Sequence, residues 1–456
     1  MHVQSIRNRK SSHNGLSKGL TPNNRLSQTL SCSKNAVFVF LAIAVFVPVS
    51  VTLFLILRSS KLERRAFRVV KQHVIASPQN WGRKFWNQNW KMKAASSPFR
   101  SEFKIFVYDL PPKFNKDLLE RNFNYINEQL DSSQIDCLSS FYSAECWIHK
   151  WINYSSYRTH DPAEADFFFV PVYPVCRRHL QHGFTAEENL KTTKYLWESL
   201  TYIKTNFPYW NKHSGKDHIW TFTQGLGPEF FGDPGWSDIQ DSIFFVSNGD
   251  VEKPWFHKRT IVIPPFAHLK CFHQGLPRVS FEKRQKTLFA GTVHHRWRMG
   301  NRVYSGGIRQ FLFRKFAHLP EFNFHEGFYD NYCKDLFQSK FCLCPPGWWK
   351  WSPRLVEAIL AGCIPVILTS SLSHPFESKL DFEKLALFVN KSQIHQLRGI
   401  LNNCTDTNVI KKQLYASETR HLFYFDIINP YQNTNAFYML MNMLQPLRKV
   451  EVENTV

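Results

Sequence analysis

The sequence predicts an α/β chain with two successive β/α domains behind an N-terminal apolar anchor and a basic stem. Three observations carry that reading. Residues 36–57 are an uncharged run of 22 residues. Short apolar segments then alternate with amphipathic ones over residues 101–270. A second β/α run follows over residues 271–456, after a linker holding Gly275 and Pro277. Such alternation points to mainly parallel sheets covered by helices.

The elements follow in order. Residues 1–35 carry six Lys/Arg and no acid, which suits a cytosolic tail. Residues 36–57 are long enough to cross about 30 Å of hydrocarbon. They begin too far from the start for a cleaved signal peptide, so an uncleaved signal anchor is expected. Residues 58–100 carry eleven Lys/Arg against Glu63, the composition of a solvated stem. In the first domain, "FKIFVYDLPPKF" reads as a strand over 103–108 ending at Asp109, and "NKDLLERNFNYINEQL" as a helix. "ADFFFVPVY", "HIWTFT", "DSIFFVS" and "TIVIPPF" read as strands, and "AEENLKTTKYLWESLTYIKTNFP" as a long helix. In the second, "KTLFAG", "FNFHEG", "FCLC" and "CIPVILTS" read as strands. "GGIRQFLFRKFAHL", "YCKDLFQSK", "SPRLVEAILAG" and the terminal "AFYMLMNMLQPLRK" read as helices.

Composition excludes several classes. Hydrophobic residues are 43% of the chain and aromatics 16%, which argues against disorder. Of the formal charge of +21, only +5 remains for residues 101–456 once the tail and stem are set aside. No groove-reading helix or zinc pattern accompanies it, so nucleic acid is not an expected partner. Cys342 and Cys344 are one residue apart with no second pair, so no metal site is expected. Nine of the ten cysteines follow the anchor, and the nine-residue spacings of Cys137/Cys146 and Cys333/Cys342 permit local bridges in an oxidising lumen. Asn153, Asn390 and Asn403 head N-x-S/T sequons, candidate N-glycosylation sites.

The densest chemical signal lies in residues 352–362. Ser352 suits an N-cap, Pro353 the first helical position and Gly362 the C′ position, which makes 353–361 a helix. Arg354 and Glu357 lie three apart on one side of it. They form either a helix salt bridge or a ligand clamp. In the second case the helix start and Arg354 hold a diphosphate and Glu357 accepts from ribose hydroxyls. Trp348, Trp349 and Trp351, just before, are either core or the wall of a sugar site.

"FCLCPPGWWKWSPRLVEAILAGCIPVIL" resembles the signature of the exostosin-like glycosyltransferases, most nearly the plant-type branch of xylan xylosyltransferases and their glucuronoxylan relatives. "FVYDLPPKFN", "WINYSSYRTHDPAEADFFFVPVYPVC", "FPYWNKHSGKDHIW" and "IVIPPF" resemble further blocks of that family, in its order. The resemblance implies a GT-B fold of two facing Rossmann-like domains, with the nucleotide sugar held by the second. It implies that Ser352, Arg354, Glu357, Gly291, Arg284 and Arg309 serve the donor, and that Asp109, Asp217 and His218 are catalytic candidates; Arg284 and Arg309 read equally as surface charges, Asp109 as a turn residue before Pro111-Pro112, and Asp217-His218 as a structural hydrogen-bond pair. It implies a UDP-sugar co-substrate, a polysaccharide acceptor, an inverting displacement, a luminal catalytic part on a type II Golgi membrane anchor, and pairing with related transferases. No D-x-D triplet occurs in the chain, which accords with metal-free neutralisation of the diphosphate. The chain departs from the family where Gln224 and Gly225 replace an expected His-Asp pair. A catalytically silent partner and a membrane-anchored glycan binder are the alternative expectations.

Overall fold

Runs such as Phe167-Phe168-Phe169 and Ile243-Phe244-Phe245-Val246 have no polar face, so they are stable only with both faces covered. The computed structural model covers them that way. It describes residues 103–119, 137–138, 140–179, 185–267, 269–272, 276, 286–294, 302–327, 329–427 and 434–448. The expected tail, anchor and stem, Arg284, and most of the helix expected over 115–130 lie outside the described residues. Among the described residues, no helix is long and apolar enough to cross a membrane.

Among the described residues two sheets form, and every strand pairing in them is parallel. The first contains β1 (Ile105–Val107), β2 (Arg158–Thr159), β3 (Phe167–Phe169), β4 (His218–Phe222), β5 (Ile243–Val246) and β6 (Thr260–Val262), in the order β2-β1-β3-β4-β5-β6. The second contains β7 (Thr287–Ala290), β8 (Phe322–His325), β9 (Phe341–Cys344), β10 (Ile364–Ile367) and β11 (Leu387–Phe388), in the order β8-β7-β9-β10-β11. The order is the same in both, with one strand more in the first. Each sheet reverses direction of growth beside its first strand, between β1 and β3 and between β7 and β9. In open α/β sheets, ligands bind outside the carboxyl ends of strands at such points.

The helices that matter here are α1 (Ala144–Tyr154), α2 (Pro174–His179), α3 (Ala186–Asn206), α4 (Ile308–Phe316), α5 (Tyr332–Gln338), α6 (Arg354–Ala361) and α7 (Ala436–Leu444). Alternation divides the second sheet between two cores. Leu288, Ala290, Cys342 and Cys344 join the core that includes Val356, Ile359 and Leu360 of α6. Phe289, Leu343 and Val366 join the one that includes Ile308, Leu312 and Phe316 of α4. Helix α7 was expected with the second domain. It is apolar nearly all round, and it stacks Phe437 on Trp151 of α1, with centroids 5.2 Å apart. Arg448 beyond it donates to Asp166, beside β3, at 2.8 Å.

The disulfides depart from the local spacing. Among the described residues the bridges are Cys137–Cys176, Cys271–Cys333 and Cys342–Cys363. Register explains the last: Phe341 and Cys342 pair with Ile364 and Pro365, so Cys363 arrives beside β9. Cys146 and Cys344 lie buried outside the three bridges.

Candidate functional site at the second sheet's switch point

The chain leaves β9 into Pro345 and Pro346, turns through the tryptophan loop and enters α6. Gly362 ends α6 in the left-handed region, φ 68°, and its N–H donates to the Ala358 and Ile359 carbonyls. Residues 355–361 are all buried. The helix start is thereby fixed at the carboxyl edge of β9, next to that of β7.

Arg354 and Glu357 do not pair with each other. The Arg354 Nη2 donates to the Ala290 carbonyl at the end of β7, and the guanidinium lies 5.2 Å from the Phe289 ring centroid. It passes directly over Gly291, where an added Cβ would stand 2.7 Å from Nη2. Gly291, at φ 150°, therefore makes room for the arginine. Glu357 is 4% exposed. Its Oε2 accepts from the Tyr332 hydroxyl at 2.5 Å. Burial raises its carboxyl above the ordinary value, opposed by the Tyr332 hydrogen bond and the Arg354 charge.

Three polar atoms of this one turn are buried with no hydrogen-bond partner: Ser352 Oγ, Arg354 Nε and Glu357 Oε1. The Ser352 hydroxyl was expected to cap α6, and it makes no capping bond. The Ser352 carbonyl takes the helical role instead, accepting from the Leu355 N–H at 3.1 Å. Native interiors rarely leave such groups open without a reason. A donor, an acceptor and a hydroxyl side by side suit a ligand bearing anionic oxygens and sugar hydroxyls.

Arg309, a phosphate candidate by sequence, is spent on the frame. Its guanidinium donates to the carbonyls of Thr292, Pro345 and Pro346 and to the Tyr304 hydroxyl at 2.8–3.3 Å. Burial lowers it to about 10, with the Arg354 charge adding to that and Tyr304 opposing it. It ties the loop after β7 to the loop after β9. Tyr332 and Tyr304, the fixing partners of Glu357 and Arg309, were missed by sequence reasoning, because nothing in periodicity marks a tyrosine that bonds across elements.

The first sheet separates the catalytic candidates. Asp109 is exposed beyond the carboxyl end of β1, at the switch point. Asp217 and His218 sit at the opposite, amino end of β4. There the Tyr108 hydroxyl meets His218 Nε2 at 2.7 Å, His218 Nδ1 meets Asp217 Oδ1 at 2.8 Å, and Asp217 Oδ2 meets His213 Nδ1 at 2.6 Å. Burial lowers the His218 imidazole, with Asp217 opposing. Burial works to raise Asp217, but bonds from His218 and His213 outweigh it and hold the carboxyl low. The fold gives this pair a closed structural network and does not bring it to the carboxyl edge. Of the sequon residues, Asn390 and Asn403 are exposed, whereas Asn153 is half-buried and its Oδ1 accepts from Arg158. Among the described residues, no group of three or more His, Cys, Asp or Glu is placed to hold a metal ion.

The family model of the exostosin GT47 domain matches residues 100–404, a span that contains both sheets. The chain belongs to the exostosin GT47 family. It is a glycosyltransferase by that membership. An Arabidopsis thaliana relative described as a probable glucuronoxylan glucuronosyltransferase, IRX7, is 30% identical over 75% of this chain and 76% of its own length. A second Arabidopsis relative, the probable beta-1,4-xylosyltransferase IRX10, is 28% identical over 75% of this chain and 82% of its own. Among solved structures, Anabaena Alr3699/HepE in complex with UDP-glucose aligns at 12% identity over 76% of this chain and 99% of that one, with a TM-score of 0.33, too slight a likeness to argue from. In this GT47 chain the departure at Gln224 is internal: the side chain is 3% exposed and its Oε1 accepts from the Leu226 N–H at 3.0 Å.

Proposed function

We propose that this GT47 chain has the GT-B arrangement and transfers a sugar from a UDP-sugar to a hydroxyl of a β-1,4-linked cell-wall glycan of the xylan class. The observation that carries the reading is the open turn of α6, with Ser352 Oγ, Arg354 Nε and Glu357 Oε1 buried and unpartnered at the carboxyl edge of β7 and β9. Arg354 and the first amides of α6 take the diphosphate and stabilise it as it leaves. Glu357 accepts from the ribose. Asp109, exposed at the facing sheet's switch point, is the candidate base for the acceptor hydroxyl in a single inverting displacement. The relatives' described activities support the xylan class.

A luminal, type II Golgi placement is part of the same proposal. The uncharged run of residues 36–57, the exposed sequons at Asn390 and Asn403, and three disulfides support it. The test is transfer from a panel of UDP-sugars to xylo-oligosaccharides by the purified full-length protein, with Arg354→Ala and Glu357→Ala alongside. Activity lost in both supports the site, and activity unchanged in both overturns it. The departure at Gln224 and Gly225 favours a second reading, a silent partner of an active transferase. UDP binding with no turnover of any UDP-sugar would establish that one.

A further inference from the structure

The tryptophan loop crosses from the second sheet to the first. Lys350 Nζ lies 2.8 Å from Asp250 and 2.6 Å from Glu252. Trp351 sets its ring edge-on to Tyr142, whose carbonyl accepts from the Thr223 hydroxyl at 2.9 Å. Between these two anchors, the Trp349 indole lies on Gly225. A Cβ at Gly225 would stand 1.9 Å from Trp349 Cδ1, 2.1 Å from Cγ and 2.5 Å from Nε1. Gly225 does not have a positive φ, so the glycine is needed there for space. Its carbonyl is fixed in turn by the buried Asn248 amide at 2.8 Å.

The position is informative. Residues 223–226 leave the carboxyl end of β4, an inner strand of the first sheet, and residues 345–353 leave that of β9, the middle strand of the second. Trp349 stands where the two edges meet. It is only half-buried although one face is covered by Gly225. Lys253 Nζ and the Arg302 guanidinium lie 5.6 and 5.7 Å from its centroid. Since Lys350 and Trp351 already hold the loop, the indole is a fixed, partly exposed aromatic surface between the lobes, and a ligand stacking on it replaces one of the two cations that lie over its ring. Such a surface suits the C–H face of a pyranose ring.

We propose that Trp349, seated on Gly225, is the acceptor-side stacking residue of the transferase site, and that the pair sets which glycan chain is accepted. This rests on the transferase reading above. The test uses the full-length protein with xylohexaose and, separately, UDP, measuring equilibrium binding of each together with thermal stability. Trp349→Ala is expected to weaken xylohexaose about tenfold, the loss of one stacking contact, and to leave UDP within about twofold. Trp349→Phe keeps most of the affinity. Gly225→Ala displaces the indole and reproduces the Trp349→Ala loss, and the double variant binds no worse than Trp349→Ala alone. Xylohexaose affinity unchanged in a stably folded Trp349→Ala overturns the proposal, as does equal loss of UDP, or a wild type that does not bind xylohexaose. Binding is read without turnover, so failure of the donor-site assignment appears separately, as UDP affinity unchanged in Arg354→Ala.

Discussion

Each lobe buries a glutamate near the carboxyl edge of its sheet, and the two are treated differently. Glu145 in α1 is 1% exposed, and both of its oxygens are taken: Oε1 by the Cys176 N–H at 2.8 Å and Oε2 by the Val175 N–H at 3.3 Å, at the start of α2. Glu357 in α6 is 4% exposed and has one oxygen on Tyr332 and the other open. The first carboxyl closes a helix end. The second is held in place and left unfinished. Burial is common to these two carboxyls, and what separates them is the hydrogen-bond account of each oxygen.

The sharpest break of this contrast comes at Arg354. Arg354→Ala removes a charged donor from where diphosphate charge develops, and should cost about a hundredfold in turnover or more. It takes a donor from the Ala290 carbonyl, the cation from over the Phe289 ring and a nearby positive charge from Glu357, while the backbone of α6 keeps its own bonds. A melting temperature close to wild type with transfer lost is the expected pair of results. Equal loss of both would make Arg354 part of the frame, like Arg309.

Glu145→Ala tests the other side. It leaves the Val175 and Cys176 N–H groups buried and unmet, costing about 2–3 kcal/mol of stability. UDP affinity in the surviving folded protein should not change. Glu357→Gln should do the reverse: stability nearly unchanged, because Tyr332 can still donate to an amide oxygen, and UDP affinity down about tenfold. Chemical denaturation and calorimetric UDP titration of both variants decide the matter. The contrast is broken if Glu357→Gln destabilises as much as Glu145→Ala.

Much of this frame was legible in the sequence, for local reasons. Apolar runs marked β3 to β10, and Ser352, Pro353 and Gly362 bracketed α6 closely, because caps and strands are written in neighbouring residues. What the sequence did not disclose depends on distance or on strand order. Asp217 and His218 were already legible at the start of the strand "HIWTFT", but not the Tyr108 and His213 partners that close them into a network. Arg309, a donor candidate by resemblance, spends its own hydrogen-bond donors on loops 17 to 37 residues away. Cys342 found Cys363 because β10 lies beside β9, a fact of strand order. Gly225 and Trp349 meet across 124 positions, and only packing reveals that one exists for the other.

The smallest expected effect is also the most specific to the comparison. Burial pushes the Glu145 carboxyl up to about 8 from an ordinary 4.5, with the Cys176 and Val175 N–H groups opposing. Between those values the folded protein keeps the proton and the unfolded chain has lost it. The unfolded state then binds fewer protons, so this group's contribution to stability is complete below about pH 4.5 and is lost as pH rises towards about 8. Glu145→Gln cannot titrate and keeps one acceptor for the shorter bond from Cys176. It should be less stable than wild type at pH 5 by about 1 kcal/mol, the price of the longer bond. The gap should close or reverse by pH 8, as wild type gives up its own term. Urea midpoints of the two proteins at pH 5, 6, 7 and 8 measure it. A gap that stays constant across that range would mean that Glu145 is ionised throughout, and that the closed carboxyl differs from Glu357 in its partners alone.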